Sequence, residues 1–332
     1  MGAAAAAGAA AGGGPARGGA AAPSRAADEA ALAMVNGDLT TVSTAVVPAT
    51  DLGLVRGDGV FEVVEVHQGV AFALPEHLAR LAKSASALAL PLDLDIVRAE
   101  VEHFLEALGS TDGAVRLIIT RSGTRLLLHE AVEDVPAQMR LALVPHRPTP
   151  LLVGVKSLSY AFNMHATRLA QAQGADEALL YSPDDNQVLE GPTSSFAWVA
   201  GGRLYTPPLS AGILDSITRR VLLEVTDAQE RACTLEEVAE AEGACVMGTG
   251  IGVVPVSEIQ DVVRFADADG SSGVGSTGAG ASGAGASGSG TPGAHSPAVD
   301  DSTGAPAARR ASALISEAAR AVSDRIRRET RG

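Results

Sequence analysis

Lysine is nearly missing from this chain: of its 25 basic residues only Lys83 and Lys156 are lysine, and the rest are arginine. Aromatic residues make up only 3% of the 332 positions, and 39 acidic side chains leave a net charge of −14. A chain with neither a basic stripe nor stacking rings makes a poor nucleic-acid binder. Cysteine is scarce too. Cys233 and Cys245 cannot build a disulfide scaffold, so a reducing, cytoplasmic setting is expected. No apolar run approaches the roughly 20 residues of a membrane helix, so no membrane partner is expected. Signature motifs are lacking as well: no GxGxxG follows a strand, and there is no GxxxxGK[ST], HExxH or GxSxG. The histidines are scattered without metal-ligand spacing, and no metal site is expected.

What is present divides into folded and low-complexity parts. Residues 1–27 are almost wholly Ala and Gly, and 266–306 is a Gly/Ser/Ala tract. Neither can bury enough apolar surface to offset its ordering entropy, so a disordered tail and a disordered linker are expected. After the linker, 307–332 carries helical spacing, with Ala313, Leu314, Ala318, Ala321, Val322 and Ile326 near one face. This helix is expected to dock on the body.

The first part of the body, 28–150, reads as a small α+β domain. Asn36-Gly37 marks a hairpin, and Val60–Val66 with Val70–Leu74 marks a second around Gln68-Gly69. Pro75 opens a helix striped by Leu78, Leu81, Ala85 and Leu88, and Leu94–Leu108 forms another. Ala114–Arg121 and Gln138–Pro145 read as strands. The second part, 151–265, reads as a sheet-rich, barrel-like domain. It has a helix at about 161–173, strands at 177–181, 187–190, 195–199 and 203–206, helices starting near Asp215 and Thr234, and strands near 245–248 and 253–256.

Three turns rich in Gly and Ser/Thr stand out: Gly191–Ser195, Gly212–Thr218 and Gly248–Gly252. Read alone, each is a plain turn or N-cap. The middle one leads into a helix, whose amides could instead hold an anion.

Order changes this reading. Asp51-Leu-Gly-Leu-Val-Arg-Gly-Asp-Gly-Val-Phe-Glu62 is followed by Glu76-His-Leu-Ala-Arg-Leu81 and Ser84. Then come Lys156-Ser-Leu-Ser-Tyr160 with Asn163, Gly174-Ala-Asp-Glu-Ala178 and Glu190-Gly-Pro-Thr-Ser194. Thr206-Pro-Pro208, Gly212-Ile-Leu214, Ile217-Thr-Arg219, and Gly248-Thr249 ahead of Pro255-Val256 close the series. Over about 34–260 this succession resembles the class IV pyridoxal-phosphate enzymes: branched-chain and D-amino-acid aminotransferases and aminodeoxychorismate lyases. The resemblance implies an α+β, two-domain, D-amino-acid aminotransferase-like fold, with a small N-terminal α/β domain and a larger sheet-rich pseudo-barrel C-terminal domain. It also implies pyridoxal 5′-phosphate as cofactor and a homodimer.

By matching positions, the resemblance makes Lys156 the catalytic Schiff-base lysine, which also shuttles protons at the substrate carbon. Glu190 would pair with the pyridine nitrogen, and Arg80 would bind the phosphate with a forked guanidinium. Ile217, Thr218 and Thr249 would add amides or hydroxyls, Ser194 would contact the cofactor, and Tyr160 would lie near its phenolic oxygen. The residues alone also allow a surface lysine, a solvated turn acid, a surface arginine and a core tyrosine. Ser195 departs from the pattern, standing where Asn is usual, and so does Asp215-Ser216, which occupies a place where Gly is common.

The implied reaction is aminodeoxychorismate lysis to 4-aminobenzoate and pyruvate. This is preferred because Val55-Arg56, and no tyrosine, precede Gly57. Arg56 could serve a dianionic substrate or pair with Asp58. The alternatives are transamination of branched-chain or D-amino acids and a non-catalytic binding protein.

Overall fold

The computed structural model describes residues 31–132, 134–265 and 304–331. The expectations for 1–27 and 266–303 lie outside these residues. The first sheet runs β2-β1-β6-β5-β3-β4, built from β1 (Leu32–Val35), β2 (Asp38–Thr41), β3 (Gly59–His67), β4 (Val70–Ala71), β5 (Gly113–Thr120) and β6 (Arg125–Glu130). The first hairpin forms as expected. Val35 faces Asp38 across a turn in which Asn36 and Gly37 both have positive φ, +53° and +92°, as a two-residue primed turn demands.

In the second hairpin the return strand stops at Ala71, shorter than expected, because Phe72 and Ala73 leave the sheet and sink into a core cluster shared with the C-terminal helix. Ala73 then turns the chain with φ +49° into helix α2 (Leu74–Ala87); α1 is the short Leu52–Arg56 helix before β3. Helices α2 and α3 (Leu94–Leu108) lay Leu78, Leu81, Val97, Val101 and Phe104 on the sheet. β6 has no counterpart in the sequence reading: its run Leu126-Leu127-Leu128 lacks the alternation that marks a strand.

The second sheet runs β11-β10-β9-β12-β13-β7-β8, with β14 on β13. Its strands are β7 (Met139–Pro145), β8 (Glu177–Tyr181), β9 (Ser195–Ala200), β10 (Arg203–Thr206), β11 (Gln229–Glu230), β12 (Gly243–Gly248), β13 (Gly252–Ile259) and β14 (Val263–Arg264). This corrects the boundary at 150. β7, placed with the first domain on sequence, lies parallel to both β8 and β13 in the second sheet. Its Leu141 and Ala142 are both fully buried although they point to opposite faces, as in a strand covered on both sides. The expected strand at 187–190 makes only single bridges, Val188 to Tyr181 and Gln187 to Thr234.

Four helices cover this sheet: α4 (Ala161–Ala172), α5 (Ile217–Val225), α6 (Leu235–Ala239) and α7 (Gly304–Thr330). The last docks as expected, but begins at Gly304, inside the tract read as linker. It buries Ala311, Ile315, Ala318, Val322 and Ile326, whereas Ala313, expected on that face, is exposed. Burying its branched side chains stabilises by roughly 1.5–3 kcal/mol each.

Candidate active site

Between β3 and the second sheet lies a cavity of about 840 Å³. Its floor is assembled from local sequence. The 155–160 segment is strapped along the start of β3: Phe61 N–H donates to the Lys156 carbonyl, Leu158 N–H to the Gly59 carbonyl, and Val60 bridges Ser157. A side chain at Gly59 would meet the Ile119 carbonyl of β5 at 2.5 Å and Leu158 of the strap at 2.6 Å, so glycine lets both close on β3. Ser84 of α2 accepts the Lys156 N–H at 3.1 Å.

These anchors aim Lys156 into the cavity, its Nζ 4.5 Å from the Phe61 ring centroid. Burial, and then the neighbouring Arg80, pull its pKa down to about 8. Across the cavity Glu190 follows the bridge residues 187–189 and accepts the Leu214 N–H at 2.8 Å. Burial raises its pKa to about 8, against the opposing pull of that amide, Lys156, Arg219 and Arg80. Both groups are thus biased toward their neutral forms, the opposite of a surface ion pair.

Arg80 is buried, and its guanidinium is fixed on three sides. Nε and Nη2 donate to Glu62 at 2.8 and 2.6 Å, and Nη1 donates to the Asp215 carbonyl at 3.0 Å. His77 Nδ1 donates to the same Glu62 at 2.8 Å. Arginine and histidine together hold the Glu62 carboxyl down at about 2, against the burial that would raise it. At the start of α5, Ser216 lines the cavity, and its hydroxyl accepts the Arg219 N–H. Ile217 and Thr218, buried just behind it, have amides that meet no protein acceptor among the described residues.

The other expected residues divide. Thr249 lines the cavity. Tyr160 lines it too, but its hydroxyl donates to the Pro192 carbonyl at 2.9 Å, and burial pushes its pKa up to about 12. The Ser194 hydroxyl is committed to Glu177 at 2.6 Å; the same carboxylate takes the Thr193 N–H and hydroxyl, bracing the turn. Ser195, which the sequence reading set in the cofactor shell as a departure from Asn, lines the cavity with a buried hydroxyl that has no partner among the described residues. Arg56 corrects the reading on both counts. It does not line the cavity, and Asp58 pairs with Arg121 instead.

Arg116 was missed. It projects from β5 to the cavity wall, 5.6 Å over Phe61, with Nε and Nη2 on Glu130 and Nη1 without a hydrogen bond among the described residues. A lone charge amid the apolar run Val115–Ile119 was the signal. Among the described residues no cluster of His, Cys, Asp and Glu has the form of a metal site, and no helix is long and apolar enough to cross a membrane.

A partly neutral lysine, a buried carboxyl and a fixed arginine around one cavity, with the free amides of Ile217 and Thr218 just behind its wall at Ser216, suit a phosphorylated, aldehyde-bearing ring. Comparison agrees. Residues 59–259 match the profile of amino-transferase class IV, and the chain belongs to that family. It is 30% identical to the D-alanine aminotransferase of Bacillus licheniformis over 252 residues, 68% of this chain and 87% of that one. It is 33% identical to a bifunctional aminodeoxychorismate lyase/D-amino acid transaminase of Mycobacterium tuberculosis over 238 residues, 63% of this chain and 82% of that one. The fold is the class IV one. The PLP-bound form of a hypothetical aminotransferase from Mycobacterium tuberculosis superposes with a TM-score of 0.63 at 29% identity, covering 70% of this chain and 92% of that one. Pyridoxal 5′-phosphate is the cofactor of the family. The residues present fit it: the unpartnered Ser195 hydroxyl and the free Ile217 and Thr218 amides are donors awaiting an acceptor.

Proposed function

We propose that this class IV enzyme is an aminodeoxychorismate lyase, converting 4-amino-4-deoxychorismate to 4-aminobenzoate and pyruvate in folate biosynthesis. The observation that carries this reading is the cavity: about 840 Å³, with the uncommitted Nη1 of Arg116 on its wall. That volume lies toward the upper end for small-molecule sites, and the free guanidinium nitrogen suits a carboxylate of a ring-sized substrate beside the cofactor.

When bound, pyridoxal phosphate supplies an electron sink that lets a proton leave carbon. The chain's own residues do the rest. Lys156, neutral in a sizeable fraction near pH 8, holds the cofactor and then takes and returns the proton at Nζ. Glu190 keeps a proton at its carboxyl, where the ring nitrogen can share it. Arg80 and the α5 amides would hold the phosphate, with Thr218 and Thr249 beside them; Ser195 would offer its free hydroxyl to the cofactor, and Ser194, held by Glu177, braces with Tyr160 the turn at Pro192. Arg116 orients a substrate carboxylate. Leu152, Val153, Phe162 and Met164 rim the cavity and keep water from the reacting atoms once substrate is seated.

Transamination of D- or branched-chain amino acids uses the same apparatus and is the second reading, favoured by the bifunctional relative. The protein acts as a homodimer, in keeping with exposed apolar residues such as Val46, Leu54 and Leu151. It works in the cytoplasm, where its two free, buried cysteines stay reduced. The test is turnover of purified enzyme in two assays, one with aminodeoxychorismate and one with amino-acid/2-oxo-acid pairs. Release of 4-aminobenzoate far outpacing transamination is expected; the reverse overturns the lyase reading.

A further inference from the structure

The C-terminal helix does not line the cavity but touches the start of the helix that carries Arg80. Helix α2 carries two residues of the site, Arg80 and Ser84, yet its own start is poorly built. Its N-cap is Ala73, which has no side chain to cap with and sits at φ +49°. Glu76, the first-turn acid, makes no recorded hydrogen bond to the Ala73 N–H among the described residues. That amide is taken instead by Glu329, from 256 residues further along the chain, at 2.9 Å.

Glu329 thereby does what the third residue of a helix does in a capping box, but from another element. It is itself held by Arg325, whose guanidinium lies 6.0 Å over the Phe72 ring. Phe72 and Ala73 pack in the same buried cluster as Val322 and Ile326 of α7.

We propose that Glu329 is a positioning residue for cofactor binding: by capping α2 across the domain boundary, it fixes the helix that presents Arg80 to the phosphate. This rests on the proposed role of Arg80. α2 has to emerge at one angle for Arg80 to reach Glu62 and the Asp215 carbonyl together. With Ala73 uncapped, the first turn frays, His77 within it loosens its hold on Glu62, and the guanidinium loses its fixed aim. The charge of Glu329 is secondary; the acceptor oxygen is what the amide needs.

The experiment measures pyridoxal phosphate dissociation constants on full-length apo-protein by fluorescence titration, with hydrogen exchange across residues 73–80. Glu329→Ala should weaken cofactor binding about fivefold, the size of a lost cap, and speed exchange at the start of α2. Glu329→Gln, which keeps the acceptor, should stay within twofold of wild type in both readouts. Arg80→Met is the control and should weaken binding more than either. If Arg80→Met leaves affinity unchanged, the phosphate reading of Arg80 falls and the proposal with it. If Arg80→Met weakens binding but Glu329→Ala does not, the cap has no bearing on the site and the proposal alone is overturned. A Glu329→Gln variant as impaired as Glu329→Ala also overturns it, since the carboxylate charge and not the cap would then matter.

Discussion

Replacing Glu62 by glutamine removes the one anion that two buried side chains share. Glu62 is fully buried, with Arg80 and His77 both on its carboxylate. Folding lowers its pKa from 4.5 to about 2, which by linkage corresponds to roughly 3 kcal/mol of stability at pH 7. The cost of leaving a buried charge without its partner, about 3–5 kcal/mol, is of the same size. Because the folded pKa is depressed, the contribution is present above pH 4.5 and is lost as pH falls toward 2. At pH 3 less than about half of it should remain, by the same linkage. Urea unfolding of wild type and Glu62→Gln at pH 7 and pH 3 tests this. The gap between them should shrink by about half or more on acidification. A gap under 1 kcal/mol at pH 7, or one that does not change with pH, would refute the argument.

The Lys156 amine of the apo-protein should titrate near pH 8, followed by its rate of acylation, and Arg80→Met should move that midpoint up by removing a repelling cation; a midpoint near 10.5 would count against the buried site. Borohydride reduction of the holoenzyme should leave the cofactor adduct on Lys156 by peptide mapping, and an adduct on Lys83 would sink the assignment. Glu190→Ala should still bind cofactor by its visible absorption yet lose about 10²-fold or more in turnover, and near-normal rates would remove its role. On α7, Ile315→Ala should cost about 2–5 kcal/mol in denaturant unfolding, whereas Ala313→Ser on the exposed side should fall within about 0.5 kcal/mol; equal effects would contradict the docking face.

Periodicity and turn chemistry determined much of the scaffold. Asn36-Gly37 specifies its turn because both residues tolerate positive φ, and the apolar stripe of Leu94–Leu108 specifies its helix; both signals are local, and the elements match. The collinear motifs likewise placed Lys156, Glu190 and Arg80, and the fold brings these three to one cavity. Tertiary structure alone decided the rest, because those questions turn on partners distant in sequence. β7 belongs to the second sheet because β8 and β13 hydrogen-bond to its two edges while packed clusters cover both its faces, which its own residues cannot reveal. Arg56 and Arg116 are both arginines beside apolar residues, yet only Arg116 sits on a strand whose side chains point into the cavity. Ser194 and Ser195 are chemically alike, and it is Glu177, at the end of another strand, that claims one hydroxyl and leaves the other free. Sequence specifies elements through nearest neighbours, while long-range packing assigns each donor and acceptor its partner, and that pairing makes the site.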